Sequence, residues 1–134
     1  MSQENVKLTN RAWDAWFRGD PGALAETWDP EIVWDVSHFR DWPEHAYVGI
    51  ENSRRFAAEW LGLWDDYEVG VDETLAAPDG RVVSLFWQRG KGRRSGLEVR
   101  FDAAMIFTFR DGKMIRTDIY DSRAVALEAV GLLE

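Results

Sequence analysis

Two Asp-Gly dipeptides constrain the fold of this chain more than any other sequence feature. Asp79-Gly80 and Asp111-Gly112 each lie between two apolar segments of strand-like composition. Asp-Gly supplies the positive φ angles that tight β-hairpins require, so each dipeptide predicts a pair of consecutive antiparallel strands. A looser turn with the sequence GKGRRSG, residues 90–96, predicts a third hairpin. We therefore expect an antiparallel sheet in the second half of the chain.

The first half of the chain shows helical spacing instead. Apolar residues recur at spacings near three, four and seven over residues 2–18 and again over residues 49–64, which predicts two amphipathic helices. Between them, Asp20 followed by Pro21 predicts the start of a short helix, because Asp caps helix N-termini and Pro fits the first helical position. Three helices with one apolar face each can cover one side of the sheet.

Three further segments complete the predicted order of elements. The sequence EIVWDVS, residues 31–37, predicts the first strand, whereas residues 37–48 have no clear period and contain Pro43, which predicts a loop. A short helix is predicted over residues 123–130, capped by Ser122 or Asp121. The predicted fold class is therefore α+β, a roll in one domain that spans residues 1–134.

Charge and cysteine content exclude several classes of function. The chain has 16 Lys and Arg against 24 Asp and Glu, a net charge of −8, so it is expected to repel nucleic acids and anionic membranes. No apolar run approaches the roughly 18 residues that a membrane span needs. The absence of Cys excludes disulfides and thiolate metal ligands. With no signal-like N-terminus, the expected location is cytoplasmic.

Asp35 is the residue that most needs a functional explanation. It lies in the apolar run Ile32, Val33, Trp34, Val36, although Asp is depleted in strands and a carboxylate that faces a core costs free energy. One interpretation is a functional carboxylate that faces a pocket. The other is a structural acid bonded to backbone amides or to an arginine such as Arg100.

Three segments resemble a known family by their order and spacing. They are WFRGDPGALAETWDPEIVWD at residues 16–35, YVGIENSRRF at residues 47–56, and FTFRDGKMIRTDIYDSRAVALEAVGL at residues 107–132. The sequence resembles the SnoaL-like branch of the nuclear-transport-factor-two-like superfamily, which shares its fold with ketosteroid isomerase and limonene epoxide hydrolase. The resemblance implies a cone-shaped, curved antiparallel or mixed sheet. Three helices of the N-terminal half would close an apolar cavity against it, and a short helix would end the chain.

The resemblance also implies two catalytic residues, and the loop that follows the first strand offers a third candidate. Asp35 corresponds to the proton-abstracting base of ketosteroid isomerase, an enzyme that combines a carboxyl base with an oxyanion hole. Asp121 resembles the acid/base aspartate of SnoaL-like polyketide cyclases, and strand alternation places it on one face with Thr117 and Ile119. His38, in the predicted loop, is a candidate general base at the mouth of the cavity.

Two carboxylates in an apolar cavity could catalyse enolisation, cyclisation, dehydration or water addition without a cofactor, because burial and mutual repulsion would raise one pKa toward neutrality. The expected substrate is a small apolar molecule that bears a carbonyl group. No metal is expected, since His38 and His45 are the only histidines and both lie in an aperiodic segment. Besides Thr117 and Ile119, the side chains expected to bind substrate are Trp16, Phe56, Trp60, Trp87 and Met105.

Other functions remain open. Ala12 and Met105 occupy the positions that correspond to the oxyanion donors of ketosteroid isomerase, and Arg89 lacks the nearby acid that epoxide-hydrolase-like water addition would use. A non-catalytic module that binds a hydrophobic ligand, or that dimerises, is the alternative. A homodimer through the sheet is expected in either case.

Overall fold

The computed structural model describes residues 2–39 and 42–132. In this part of the chain four helices accompany a six-stranded sheet. The helices are α1 (Ser2–Arg18), α2 (Pro21–Ala25), α3 (Ile50–Leu61) and α4 (Arg123–Ala129). The strands are β1 (Trp28–His38), β2 (Ala46–Val48), β3 (Trp64–Ala76), β4 (Val82–Gly92), β5 (Glu98–Arg110) and β6 (Lys113–Tyr120). None of these helices is long and apolar enough to cross a lipid bilayer.

The sheet has the strand order β2-β1-β6-β5-β4-β3 and is open. Strands β1 and β6 pair in parallel, and all other neighbours pair antiparallel. Asp111 and Gly112, with φ angles of 51° and 77°, form the predicted tight turn between β5 and β6. The α+β prediction, with a mixed sheet, three helices in the N-terminal half and a short C-terminal helix, is confirmed.

The loop predicted over residues 37–48 is partly strand. Ser37 and His38 extend β1, and Ala46–Val48 forms the edge strand β2 against it. Residues 40 and 41 of the predicted loop lie outside the described residues. Three residues are too few to show a periodic pattern in the sequence. In the structure Tyr47 is buried between two exposed neighbours, as side chains alternate in a strand.

The two faces of the sheet pack against different helices. We call the face toward α1, α2 and α3 the inner face; it carries most of the aromatic core. The opposite, outer face packs against α4 through a smaller apolar cluster that includes Val83, Ala104, Ile106 and Ala126. Arg123 fixes the start of α4 on this face, because it donates to the Phe86 carbonyl at 2.8 Å. Side chains that alternate along one strand therefore enter different environments.

Candidate functional site

An apolar cavity lies between the inner face and the helices α1, α2 and α3. Its volume is about 60 Å³. Six of the eight tryptophans of the chain line it: Trp13, Trp16, Trp28, Trp34, Trp42 and Trp60. No Asp, Glu, His, Lys or Arg is found among the described residues of its wall. The cavity is therefore an aromatic chamber whose described wall is uncharged.

Most of the predicted substrate-binding residues lie in this wall. Trp16, Phe56, Trp60, Met105 and Ile119 all line the cavity. The amphipathic pattern of α1 and α3 placed the first three correctly, because their buried stripes face the sheet. A role in substrate binding remains a prediction.

Trp87 does not line the cavity, and its predicted place there is wrong. Its neighbours Phe86 and Gln88 point into the cavity, so strand alternation turns Trp87 to the outer face. There its ring covers Gly70 on β3, where an added Cβ would lie only 2.5 Å from the indole. The Arg100 guanidinium lies 4.8 Å from the centroid of the same ring.

Thr117 is on the inner face but is not part of the cavity wall. It is fully buried between Trp34 on β1 and Phe107 on β5, its neighbours in register. Neither the Thr117 hydroxyl nor the Trp34 indole N–H has a hydrogen-bond partner among the described residues. Both are therefore buried polar groups that nothing in the described structure satisfies.

Asp35 points away from the cavity, so the prediction that it opens into the cavity is wrong. Trp34 and Val36 line the cavity, and Asp35 between them faces the outer side. One carboxylate oxygen accepts from the Ser37 amide at 2.9 Å and from its hydroxyl at 2.6 Å. The other accepts from Nη2 of Arg116 at 2.6 Å. Asp35 is thus held by backbone and arginine donors, with Arg116 in place of the Arg100 that the sequence suggested.

Asp35 belongs to a group of polar residues that we call the outer-face cluster: Asp35, His38, Arg116, Asp118 and Tyr120. Arg116 also donates from Nε to both carboxylate oxygens of Asp118, at 3.0 and 3.1 Å. The His38 ring, which is exposed, stacks on Tyr120 with centroids 4.2 Å apart. His38 is therefore on the outer side, not at a mouth of the cavity.

The surroundings of the two carboxyl groups in this cluster shift their pKa values in opposite directions. Burial raises the pKa of Asp118 above its usual value, against the attraction of Arg116. Burial also acts to raise the pKa of Asp35, but the hydrogen bonds from Ser37 and the charge of Arg116 hold it below its usual value. Asp35 is consequently the more firmly ionised of the pair.

Asp35, His38 and Asp118 could also be considered as metal ligands, since their donor atoms lie within 4.8 Å of one another. However, both carboxylates already contact the Arg116 guanidinium, which supplies the positive charge that a metal ion would bring. The geometry therefore gives no reason to assign a metal to this cluster.

Asp121 follows the last residue of β6 and is not among the residues that line the cavity. Its backbone N–H lies 3.4 Å from the His38 carbonyl, to which it donates. Ser122 caps α4, with its hydroxyl accepting from the Val125 amide at 3.2 Å. Neither Asp35 nor Asp121 is therefore among the residues of the cavity wall.

The sequence reasoning missed the polar group that does lie in the cavity. Oε1 of Gln88 accepts from the Trp60 indole N–H at 2.9 Å and from the Tyr67 hydroxyl. Burial raises the pKa of Tyr67 to about 12. Both residues could have been found by strand alternation, since Gln88 shares a face with Phe86, and Tyr67 with Val69.

A comparison with protein families assigns the chain to a family. Residues 9–117 match the model of the SnoaL-like domain. The chain belongs to the SnoaL-like domain family. A search of curated proteins finds no match.

Solved structures share the SnoaL-like fold over nearly the whole chain. Bal32a, from a soil-derived mobile gene cassette, has a TM-score of 0.79 and 20% identity over 89% of each chain. A proposed SnoaL-like polyketide cyclase from Jannaschia sp. CCS1 has a TM-score of 0.77 and 21% identity, over 99% of this chain and 94% of that one. TerC, co-crystallised with polyporic acid, has a TM-score of 0.75 and 17% identity over 95% and 97%. Identities this low show a common fold.

In this chain, the hydrogen-bonding groups of the cavity differ in charge from those of the outer face. Ala12 and Met105, at the positions that correspond to the oxyanion donors of ketosteroid isomerase, both line the cavity and offer no hydrogen-bond donor from their side chains. The titratable residues Asp35, His38 and Asp118 are all in the outer-face cluster. The inner cavity is left with hydrogen-bonding groups that are neutral.

Proposed function

We propose that this SnoaL-like protein binds a small, uncharged, largely apolar molecule in its inner cavity and does not use the cavity for acid/base catalysis. The observation that carries the proposal is the lack of any acidic, basic or imidazole side chain among the described lining residues. General acid/base catalysis needs such a group within hydrogen-bond reach of the reacting atoms. An apolar wall with a few polar groups is typical of a binding pocket.

Among the described lining residues, Tyr67 is the one whose side chain could act as an acid or, once ionised, as a base. With a pKa raised to about 12 by burial, its hydroxyl stays protonated at neutral pH and cannot act as a base. Asp35 and Asp118 lie on the other side of the sheet, beyond hydrogen-bond reach of a ligand in the cavity. Both the acid/base enzyme and the epoxide-hydrolase-like alternative would need a carboxylate at the wall.

The volume of the cavity limits the size of the ligand. A volume of about 60 Å³ is smaller than the roughly 150 Å³ of an engineered cavity that accepts benzene. Binding therefore requires wall side chains to move. Met105 and Met114 are suited to this, because methionine is unbranched and adapts its shape at low cost. We infer a compact ligand, on the order of one ring.

Ethylbenzene is a suitable first probe, and calorimetry would measure its affinity. We expect saturable binding by the wild type and loss of binding in Ala12→Leu, which fills the cavity from α1. Ala58→Leu, the same change on the exposed side of α3, is the matched control and should bind normally. Equal binding by both variants, or none by the wild type, would contradict a ligand-binding cavity.

Catalysis can be tested on acetophenone, which has exchangeable protons next to its carbonyl group. In deuterated buffer, NMR would follow their exchange, and we expect the protein not to accelerate it. Acceleration that disappears in Asp35→Asn would overturn the proposal and restore the enzyme hypothesis.

The expected homodimer through the sheet remains a separate proposal. Helix α4 covers one part of the outer face, and the outer-face cluster occupies another. Light scattering on the purified protein would test it: a mass near 15.5 kDa would contradict the dimer, and twice that mass would support it.

A further inference from the structure

The cavity wall contains very few hydrogen-bond acceptors. Its side chains include only two oxygen atoms among the described residues, the Tyr67 hydroxyl and Oε1 of Gln88. A hydrogen bond joins these two oxygens, because the Tyr67 hydroxyl donates to Oε1 of Gln88. The tyrosine oxygen also accepts from the Trp60 N–H at 3.4 Å. Neither oxygen is therefore left as a ready acceptor for a ligand.

The orientation of the Gln88 amide is fixed by chemistry. An indole nitrogen can only donate, so the Gln88 atom 2.9 Å from the Trp60 N–H must be the oxygen. The NH₂ group consequently points the other way. It has no hydrogen-bond partner among the described residues, although Gln88 is only 5% exposed and lines the cavity.

Trp34 adds a second donor to the wall. Its indole lines the cavity, its N–H is buried, and no described residue accepts from that N–H. That N–H has almost no exposed surface, so an acceptor on a ligand reaches it only once wall side chains move, and it then relieves the cost of the unpaired donor. The polar side-chain groups that the described wall offers to a ligand are thus hydrogen-bond donors.

From this arrangement we propose that the cavity selects neutral ring compounds that carry a hydrogen-bond acceptor and no donor, with the Gln88 NH₂ group, and secondarily the Trp34 N–H, as the recognition groups. Small cyclic or aromatic ketones fit this description. An alcohol of the same skeleton must bury an O–H group for which the wall has no ready acceptor. An anion would meet no countercharge in the described wall. This inference rests on the proposed ligand-binding function.

The test compares three compounds that share one skeleton: ethylbenzene, acetophenone and 1-phenylethanol, the last as separate enantiomers. Calorimetry on the full-length protein should give acetophenone an affinity at least about fivefold higher than ethylbenzene and than either alcohol, as expected for one additional buried hydrogen bond. If none of the compounds binds, the proposed function fails. If ethylbenzene binds and the ketone gains nothing, or an alcohol binds most tightly, only the donor-based selectivity is overturned.

Gln88→Glu provides the decisive variant. One carboxyl oxygen still accepts from Trp60 and Tyr67, while the other replaces the NH₂ donor. The ketone preference should persist at low pH, where a protonated glutamate donates, and should shift to the alcohols once this residue ionises. Tyr67, the other titratable group in the wall, stays protonated throughout with its pKa of about 12. The wild type should show no such pH dependence.

Gln3→Glu is the matched control, because the same change on the exposed surface of α1 alters the net charge but not the cavity. It should keep the selectivity of the wild type at every pH. A ketone preference that persists in ionised Gln88→Glu would show that Gln88 is not the recognition group. Loss of that preference in Gln3→Glu would assign the effect to net charge and overturn the role of Gln88.

Discussion

Nη2 of Arg116 lies 2.6 Å from a carboxylate oxygen of Asp35, on the face of the sheet that is remote from the cavity. The two residues belong to β6 and β1, the only parallel neighbours in the described sheet. Their ion pair thus links the first and the last strand of the sheet in chain order. In this position Asp35 is a structural acid.

Asp35→Asn should lower the free energy of unfolding by about 1–2 kcal/mol, because it leaves a partly buried guanidinium with one carboxylate instead of two. Affinity for ethylbenzene should not change. Urea denaturation would measure the stability change, with the wild type as reference. An undiminished stability would contradict a structural role.

Acid should change the contributions of Asp35 and Asp118 to folding stability in opposite directions. The pKa of Asp35 is lowered by folding, so its stabilising contribution is present above the pKa of the unfolded chain and is lost as the pH falls through the folded value. The pKa of Asp118 is raised by burial, so its ionisation opposes folding and acid relieves this cost. Between about pH 5 and pH 3, stability should therefore decline less steeply in Asp35→Asn and more steeply in Asp118→Asn. Thermal unfolding across this range would measure both slopes, and equal slopes in the two variants would refute the assignment.

Gly70→Ala should destabilise the protein by about 1–3 kcal/mol, because its Cβ would lie 2.5 Å from the Trp87 ring. Gly22→Ala in α2 is the control: its Cβ would meet only an Asp20 oxygen at 3.6 Å, and alanine favours the helix. Thermal unfolding of both variants checks the prediction. A neutral Gly70→Ala would mean that Trp87 can leave this position freely.

Ser84→Ala should cost about 1–3 kcal/mol, since its hydroxyl accepts from the buried Trp13 indole at 3.0 Å. Ser53→Ala makes the same change at an equally buried serine whose hydroxyl has no hydrogen-bond partner among the described residues. It should be neutral or stabilising. The Ser84 hydroxyl also shares a hydrogen bond of 3.0 Å with the Thr74 hydroxyl. Urea denaturation of the two variants would separate the loss of these hydrogen bonds from the loss of volume, and equal losses of stability would contradict the prediction.

Much of the fold follows from local sequence signals. The turns at Asp79-Gly80 and Asp111-Gly112, and the start of α2 at Pro21, are set by φ preferences that belong to these residues themselves. Tyr47 could not be assigned to a strand in the same way, because β2 is formed by pairing with β1. Such a strand depends on a distant partner.

The candidate site was harder to predict, because it depends on which face of each strand points inward. The alternation of Ile32, Trp34 and Val36 already indicates an apolar face with Asp35 opposite, but the resemblance to an enzyme with a catalytic aspartate outweighed that signal. The place of Trp87 is wrongly predicted for a different reason: its neighbours Phe86 and Gln88 differ in polarity, so the residues themselves do not indicate which face of β4 is the inner one. Alternation puts Phe86 and Gln88 on one face of β4, and the structure shows that this face is the inner one.

The division of β1 between two environments has a consequence for changes in chain length. Between Ile32 and Val36, side chains alternate between the apolar inner face, where Trp34 and Val36 line the cavity, and the outer face, which carries Asp35. Inserting or deleting one amino acid here would exchange those roles, placing a carboxylate in the aromatic chamber and an indole in water. Loops of this protein should tolerate indels far better than this stretch, where spacing matters as much as residue identity.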